Sequence, residues 1–186
     1  MPEILVFFGL IASGKSTLAE AVARREGMLY LNTDRVRKEL AGIDATERRP
    51  DALGQGIYSP EYTERTYRTM LDTTTEQVRQ GGSVVLDGSY SRRKDREGVL
   101  ECGRQTGAAV FFILCACSDQ EVRRRLEIRA RDPLAVSDGR WDIYHRQKES
   151  FEQPDELEDS QLLILNTEAE PDFLLLKIRQ WLGEKS

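Results

Sequence analysis

A nine-residue stretch near the N-terminus has the residue types and the spacing of a phosphate-binding loop. It reads Gly-Leu-Ile-Ala-Ser-Gly-Lys-Ser-Thr from Gly9 to Thr17, which fits a glycine, four residues and then Gly-Lys-Ser. Glycine lets the backbone turn tightly, so that successive N–H groups point at phosphate oxygens. Lys15 would reach the β- and γ-phosphates of a nucleotide, and the Ser16 hydroxyl would ligate Mg²⁺. The stretch therefore predicts a site for a nucleotide and its metal ion.

The sequence on either side of this loop supports the interpretation. Residues 4–8 are apolar and β-prone, as in a strand buried on both faces, and residues 18–25 are helix formers that end before Gly27. A chance match in an ordinary glycine turn is the alternative. The strand before the loop and the helix after it are the context that the motif requires, so we favour the phosphate-binding interpretation.

A carboxylate and a guanidinium follow the second predicted strand. Residues 28–31 read as a strand that runs into a short helix, which Thr33 or Asp34 can cap. Asp34 then lies at the C-terminal edge of the sheet, where ligands bind in open α/β folds, and Arg37 shares its helical face. The pair suits a substrate with a hydroxyl to deprotonate and an anionic neighbour to hold. A capping role alone is the other interpretation of Asp34.

A second carboxylate follows the third predicted strand. Residues 83–88 end in Asp87-Gly88. An Asp after a buried strand, beside a phosphate loop, is in the usual place for a carboxylate that assists Mg²⁺ or contacts the acceptor. Asp-Gly is also a turn signal, so a solvated turn residue is the alternative.

Two groups of arginines are candidates for binding phosphate or the acceptor. The first group follows Ser91, a predicted helix cap, and comprises Arg92, Arg93 and Arg96. It is either a solvated basic face or part of the acceptor site, where Arg93 is our candidate. The second lies on a helix that opens with a capping box at Ser118. Some of its members could close over a triphosphate and stabilise the transferring phosphoryl group, while others must be solvated; they are Arg123, Arg124, Arg125, Arg129 and Arg131.

Composition limits the classes of partner. A net charge of −5 argues against broad binding to nucleic acid or to an acidic membrane. The longest apolar run, residues 108–117, is too short to span a bilayer, and the N-terminus has no signal-peptide pattern. The three cysteines indicate reduced thiols in a cytoplasmic protein, and the lone His145 lacks companions for a metal site.

Strands and helices alternate throughout, which predicts an α/β fold with a parallel sheet covered on both faces. A fifth strand at residues 162–165 precedes Asn166-Thr167 and a last helix from Pro171. Residues 42–59 are predicted to form a loop that contributes to the acceptor site. An aromatic stripe from Trp141 to Phe151 has helical spacing, which favours packing over base stacking.

Together these motifs resemble the small P-loop kinases. The pattern is most similar to the kinase domain of polynucleotide 5'-hydroxyl kinases and to bacterial ATP-binding kinase-like proteins, with zeta toxins and gluconate kinases more distant. The resemblance is carried by residues 9–17, 32–37, 84–88 and 123–131 and covers nearly the whole chain. It implies a three-layer P-loop nucleoside triphosphate hydrolase fold, with residues 1–186 as one kinase domain and a small arginine-rich lid at about residues 123–140.

The resemblance also implies roles for individual residues. Asp34 would be the general base, Arg37 would hold an anionic group of the acceptor, and Asp87 would assist the metal or the acceptor. Arg125 or Arg129 would act from the lid. ATP and Mg²⁺ would be bound by the loop, with Asn166 and Thr167 near the adenine; the loop residues are Gly9, Ala12, Ser13, Gly14, Lys15, Ser16 and Thr17.

The leading hypothesis is an ATP-dependent kinase whose hydroxyl acceptor is a small metabolite, a nucleoside-like compound or a nucleic acid 5'-end. A regulatory ATPase without an acceptor is the alternative. The chain has no Asn-Lys-x-Asp segment for reading guanine, and its third strand ends in Asp87-Gly88 where motor ATPases usually place Asp-Glu. A non-catalytic ATP-binding module is a third option, disfavoured by the intact Lys15, Ser16, Asp34 and Asp87. The sequence leaves the acceptor, the choice of ATP over GTP and the oligomeric state open.

Overall fold

A computed structural model describes residues 1–44, 56–131 and 141–184. Strands and helices alternate as the sequence predicts. In chain order the elements are β1 (Glu3–Phe8), α1 (Lys15–Glu26), β2 (Leu29–Asn32), α2 (Thr33–Leu40), a 3-10 turn (Gly56–Tyr58), α3 (Pro60–Arg79), β3 (Val84–Asp87), α4 (Arg93–Thr106), β4 (Ala109–Ala116), α5 (Asp119–Arg131), α6 (Trp141–Glu149), β5 (Leu162–Asn166) and α7 (Pro171–Gly183).

All five strands are parallel and lie in the order β2-β3-β1-β4-β5, which confirms the predicted sheet. The central β1 is buried on both faces, because strands flank it on each side and helices cover it above and below. The register aligns the carboxyl ends of three strands, since Asp87 pairs with Asn32 of β2 and with Phe7 of β1. Residues that follow these strands therefore share one edge of the sheet.

Alternate residues of the strands enter two separate cores. Ile4, Val6 and Phe8 of β1 pack into the core under α3 and α4, whereas Leu5 and Phe7 face α1 and α7. A third cluster joins the phosphate loop to α5 and α6 and consists of Ile11, Ala12, Val122, Leu126 and Tyr144. The loop is therefore packed against two helices that come much later in the chain.

Several predicted helix ends are confirmed, and two are corrected. Ser59 caps α3 by accepting a hydrogen bond from the Tyr62 amide, and Gly27 ends α1 in a left-handed conformation. Helix α2 is capped by Asn32, not by Thr33 or Asp34, because the Asn32 side chain precedes the first helical residue and accepts from the amides of residues 34 and 35.

Ser91 does not cap α4, contrary to prediction. Arg92 occupies the cap position and provides no side-chain cap. The carboxylate of Glu152, from the segment after α6, accepts the hydrogen bond of the Arg93 amide instead, while the Glu152 amide donates to the Ser91 carbonyl. A cap supplied from 59 residues away leaves no local signal in the sequence.

Some predictions fall on residues 45–55 and 132–140, which lie outside the described residues: most of the predicted acceptor loop and the C-terminal part of the lid. Among the described residues no helix is long and apolar enough to cross a membrane. Phe151 lies beyond the end of α6 and stacks on Phe8, and Trp141 stacks on Tyr144, so this stripe contributes to packing.

Candidate active site

The phosphate loop links β1 to α1 in a conformation that requires glycine at two positions. At Gly9, where φ is 134°, a Cβ would lie 2.3 Å from the carbonyl oxygen of Cys115. Gly14 is left-handed, with φ 86°, and is the N-cap of α1 without a side-chain cap. Because Gly14 has no side chain to accept from them, the first amides of α1 can donate to an anion at the positive end of the helix.

The side chains of the loop lie at the mouth of this anion site. The Lys15 Nζ donates to the carbonyl oxygen of Leu10 at 3.2 Å, so the ammonium group lies along the loop. Ser16 follows in the first turn of α1 and is half-buried, whereas Thr17 is exposed. The structure thus brings together the backbone donors, the lysine and the hydroxyl that the motif predicts.

Arg125 and Thr167 hold the outer side of the loop. The Arg125 Nη1 donates to the carbonyl oxygen of Ala12 at 3.2 Å, and its Nη2 donates to the carbonyl oxygen of Thr167 at 2.6 Å. The Thr167 hydroxyl donates to the carbonyl oxygen of Ser13 at 2.5 Å. Both residues were predicted as ligand contacts, and the structure places their polar atoms on the loop backbone.

Asp87 is fully buried where β3 ends, beside the loop. Its Oδ2 accepts hydrogen bonds from the Tyr30 hydroxyl and from the Asn32 side-chain amide, each at 2.6 Å. Burial and the nearby Asp87 carboxylate raise the pKa of Tyr30 far above its usual range, so its hydroxyl stays a donor. The buried Asp87 Oδ1 has no hydrogen-bond partner among the described residues. The alternative of a solvated turn residue is therefore wrong.

A carboxylate oxygen that lacks a donor fits a nearby cation or its water shell. Oxygen atoms of carboxylates and hydroxyls are the ligands that Mg²⁺ prefers, usually with several waters retained. Asp87 and Ser16 supply such oxygens beside the loop, so the residues present fit the predicted metal ion.

Asp34 and Arg37, three residues apart on α2, form an ion pair. The Arg37 Nη1 donates to the Asp34 Oδ1 at 2.9 Å, and the Arg37 side chain is only 9% exposed. Its guanidinium lies over the Tyr58 ring, 5.1 Å from the centroid, and its buried Nε has no partner among the described residues. Asp34 is not a cap, since Asn32 has that role.

Arg129 lies near both carboxylates. Burial lowers the pKa of its guanidinium, and the negative charges of Asp34 and Asp87 act in the opposite direction. Arg129 is on the last turns of α5, one helical turn beyond Arg125. The two candidate lid arginines therefore differ: Arg125 is hydrogen-bonded to the loop backbone, and Arg129 interacts electrostatically with Asp34 and Asp87.

Each member of the first arginine group is paired with a carboxylate. Arg93 is more than half exposed and pairs with Glu97 on its own helix, and Arg92 pairs with Asp95. Arg96 is fully buried and pairs with Glu156, so the hypothesis of a solvated basic face is wrong for this residue.

Asn166 lies at the end of β5, where its side chain accepts a hydrogen bond from the amide of Glu168. The sequence did not single out Tyr30, Asn32 or Gln147 as functional residues. The Gln147 side chain accepts a hydrogen bond from the Ile11 amide. Asn32 had a usable signal, a polar residue directly after an apolar strand. Gln147 had none, because its partner is 136 residues away.

Two proteins, a mycobacterial protein and a shikimate kinase, are similar to this chain in sequence. The chain is 28% identical over 144 residues to an uncharacterized protein of Mycobacterium tuberculosis, covering 72% of this chain and 29% of that protein. It thus spans less than a third of the length of that mycobacterial relative. It is also 26% identical over 115 residues to a shikimate kinase of Thermodesulfovibrio yellowstonii, covering 58% of this chain and 61% of that kinase.

Solved structures share the fold. A sugar kinase from Janibacter sp. HTCC2649 superposes with a TM-score of 0.72 at 20% identity, covering 98% of this chain and 95% of that one. A gluconokinase from Sinorhizobium meliloti has a TM-score of 0.67 at 17% identity, covering 98% and 92%. The APS kinase of Mycobacterium tuberculosis, in complex with AMPPNP and APS, has a TM-score of 0.67 at 19% identity and covers 98% of both chains. The predicted P-loop kinase fold is confirmed.

A family model described as an AAA domain matches residues 4–154. The match begins in β1 and continues past α6, so it contains the phosphate loop, Asp34, Asp87 and both lid arginines. The part of the predicted resemblance that concerns P-loop kinase-like proteins is therefore confirmed, while the similarity to polynucleotide kinases stays a prediction. The protein belongs to the AAA_33 family of AAA domains.

Proposed function

We propose that this protein is an ATP-dependent kinase that transfers the γ-phosphoryl group to a hydroxyl of an acceptor, with residues 1–186 acting as one domain. The observation that carries the proposal is the Asp34–Arg37 ion pair, which lies at the same sheet edge as the phosphate loop and Asp87. A protein that only binds a nucleotide does not require this ion pair. A base and an anion-binding group beside a phosphate site are what phosphoryl transfer to a hydroxyl requires.

Asp34 is the general base of the proposed reaction. The bond from Arg37 fixes one carboxylate oxygen, which leaves the other oxygen to take the proton of the acceptor hydroxyl. The hydroxyl proton goes to Asp34 as the acceptor oxygen forms its bond to the γ-phosphorus. The bond between that phosphorus and the β,γ-bridging oxygen breaks in line, and ADP leaves with the bond's electrons.

The loop amides and Lys15 would hold the triphosphate, and the Ser16 hydroxyl and Asp87 would hold the metal ion. Bound Mg²⁺ would neutralise charge on the β- and γ-phosphates. Tyr30 and Asn32 orient Asp87 by donating hydrogen bonds to its Oδ2. Asn166 and the segment after it lie near the adenine of ATP.

The two lid arginines differ in their proposed roles. Arg129, near Asp34 and Asp87, stabilises charge on the transferring phosphoryl group. Arg125 acts on the nucleotide through the loop backbone, since both of its Nη atoms are committed to carbonyl oxygens of residues 12 and 167. This division assigns catalysis to Arg129 and nucleotide positioning to Arg125.

The acceptor proposed here is a small molecule with a hydroxyl and an anionic group. Binding a nucleic acid strand needs a basic groove along the backbone. Four arginines of the two groups are instead paired with carboxylates: Arg92 with Asp95, Arg93 with Glu97, Arg96 with Glu156 and Arg124 with Glu121. The buried Arg37 Nε, which lacks a partner among the described residues, is a donor for one anionic group.

A screen of phosphate transfer tests this function. The wild-type protein is incubated with γ-labelled ATP and Mg²⁺ and with four acceptor classes: neutral sugars, sugar acids or phosphates, nucleosides, and 5'-hydroxyl oligonucleotides. We expect transfer to an anionic small molecule, lost in Arg37→Gln and retained in Arg35→Gln, a variant of an exposed arginine on the same helix. Transfer to oligonucleotides alone, falling steeply with salt, would replace the small-molecule acceptor by a nucleic acid end. ATP hydrolysis with no acceptor in any class would favour the regulatory ATPase.

A further inference from the structure

The side chain of Gln147 on α6 is bonded to the backbone of the phosphate loop. The amide of Ile11, the third residue of the loop motif, donates to the Gln147 Oε1 at 2.8 Å. Ile11 itself is buried, so its amide has little access to water. The side-chain oxygen of Gln147 thus satisfies a loop donor that would otherwise be left without a partner.

Helix α6 holds Gln147 firmly against the loop. Tyr144, one turn earlier, is buried with Ile11 and Ala12 in the third hydrophobic cluster. Asp119, at the start of α5, accepts hydrogen bonds from the Tyr144 hydroxyl and from the Lys148 Nζ, the latter at 2.7 Å. Gln147 lies between these two anchored residues on the same helix.

The loop needs such external contacts because one of its residues is strained. Ala12 is in the left-handed region, with φ 60°, where a residue with a Cβ is disfavoured. The amide of the preceding residue, Ile11, is held by Gln147, and the Ala12 carbonyl is held by Arg125. The Ser13 carbonyl is held by Thr167. Three consecutive loop residues are therefore fixed by side chains from three later segments of the chain.

We propose that Gln147 is a positioning residue for polyphosphate binding, acting through the Ile11 amide to keep the loop in its binding conformation. The proposal rests on the nucleotide-binding function proposed above. Without the side-chain acceptor, the strained loop spends less time in the competent conformation. The apparent affinity for polyphosphate falls by the same fraction. A lost hydrogen bond of this kind corresponds to about a tenfold weaker affinity.

The test combines binding with hydrogen exchange. Calorimetry measures the dissociation constants of ADP and of inorganic tripolyphosphate for the wild type, Gln147→Met and Glu149→Met, a control at an exposed position of the same helix. NMR follows the exchange of the Ile11 amide in the ligand-free proteins and in Gln147→Glu, which keeps an acceptor oxygen. Thermal unfolding verifies that each variant is folded.

The expected results separate positioning from packing. Gln147→Met weakens the binding of ADP and of tripolyphosphate by the same factor of about ten, because the adenine is not involved. The Ile11 amide of this variant also loses its protection from hydrogen exchange. Glu149→Met changes neither quantity, and Gln147→Glu keeps the protection. Affinities of Gln147→Met within twofold of wild type, or unchanged exchange at Ile11, would overturn the proposal. If the wild type binds neither ADP nor tripolyphosphate, the proposed function fails, and the positioning role in polyphosphate binding fails with it.

Discussion

Asn32 joins Asp87 to the helix that carries Asp34. Its side-chain nitrogen donates to the Asp87 Oδ2 at 2.6 Å, and its side-chain oxygen accepts from the Asp34 amide at 3.1 Å. One amide thus fixes the carboxylate proposed to assist the metal and the start of the helix that presents the proposed base. Both carboxylates depend on a residue outside the phosphate loop.

Replacing Asn32 by Asp separates its two contacts. Aspartate still caps α2, but it presents a second carboxylate to Asp87 where a donor had been. The repulsion raises the folded-state pKa of the pair above its unfolded value, so the variant recovers stability below that unfolded value and loses it as the pH rises. We expect a loss of about 1–3 kcal/mol in the free energy of unfolding at pH 8 and a smaller loss at pH 5, measured with urea. An equal loss at both pH values would show that the two carboxylates do not meet.

The hydroxyl of Tyr30 is expected to matter for Mg²⁺-dependent nucleotide binding. Tyr30→Phe removes one of the two donors to Asp87 Oδ2 and should cost about 1.5–3 kcal/mol of stability, since the acceptor is charged. The gain in ADP affinity on adding Mg²⁺ should shrink. Tyr62→Phe, on the half-buried face of α3, is the matched control and should leave that gain unchanged. The comparison is made by calorimetry with and without Mg²⁺.

Substitutions of the two lid arginines should affect different quantities, ADP affinity for Arg125 and kcat for Arg129. Arg125→Lys cannot reach both the Ala12 and the Thr167 carbonyl oxygens, so ADP affinity should fall by about tenfold. Arg129→Lys should lower kcat by one to two orders of magnitude, about 1.4–2.7 kcal/mol, with ADP affinity nearly unchanged. Steady-state kinetics with calorimetry tests the division, and matching effects of the two variants would argue against it.

The buried ion pair between Arg96 and Glu156 should dominate stability in its part of the fold. Burial raises the pKa of Glu156, but the hydrogen bonds from Arg96 and the backbone, together with the positive charges of Arg96 and Arg93, more than offset it, so the pKa is lowered overall. Glu156→Gln leaves a buried charge unpaired and should cost about 3–5 kcal/mol at pH 7. Because the folded pKa is depressed, this advantage of the wild type is present above the ordinary pKa of glutamate, about 4.3, and is lost as the pH falls below it.

Urea titrations at pH 7 and at pH 3.5 measure this difference. Glu97→Gln removes the partner of the exposed Arg93 and serves as the control, with no measurable change expected. A Glu156→Gln variant as stable as the control at pH 7 would contradict the importance of the buried pair.

Local patterns predicted the sheet and the loop because both are encoded in short segments. Five apolar runs gave five strands, and the glycine spacing gave the loop with its left-handed Gly14. Contacts between distant segments escaped prediction. The local sequence allowed Arg96 to be part of an exposed basic face, because its partner Glu156 lies 60 residues later in the chain. Gln147 could be linked to Ile11 only once the packing of α6 was known.

The proposed base gives the most direct measurement of the central claim. Phosphate transfer from γ-labelled ATP to the acceptor found by the screen is compared for the wild type, Asp34→Asn and Asp72→Asn, the last at an exposed position on α3. We expect Asp34→Asn to lose transfer by at least about 100-fold while its ADP affinity stays within twofold, and Asp72→Asn to behave as wild type. Transfer at the wild-type rate by Asp34→Asn would contradict the kinase mechanism proposed here.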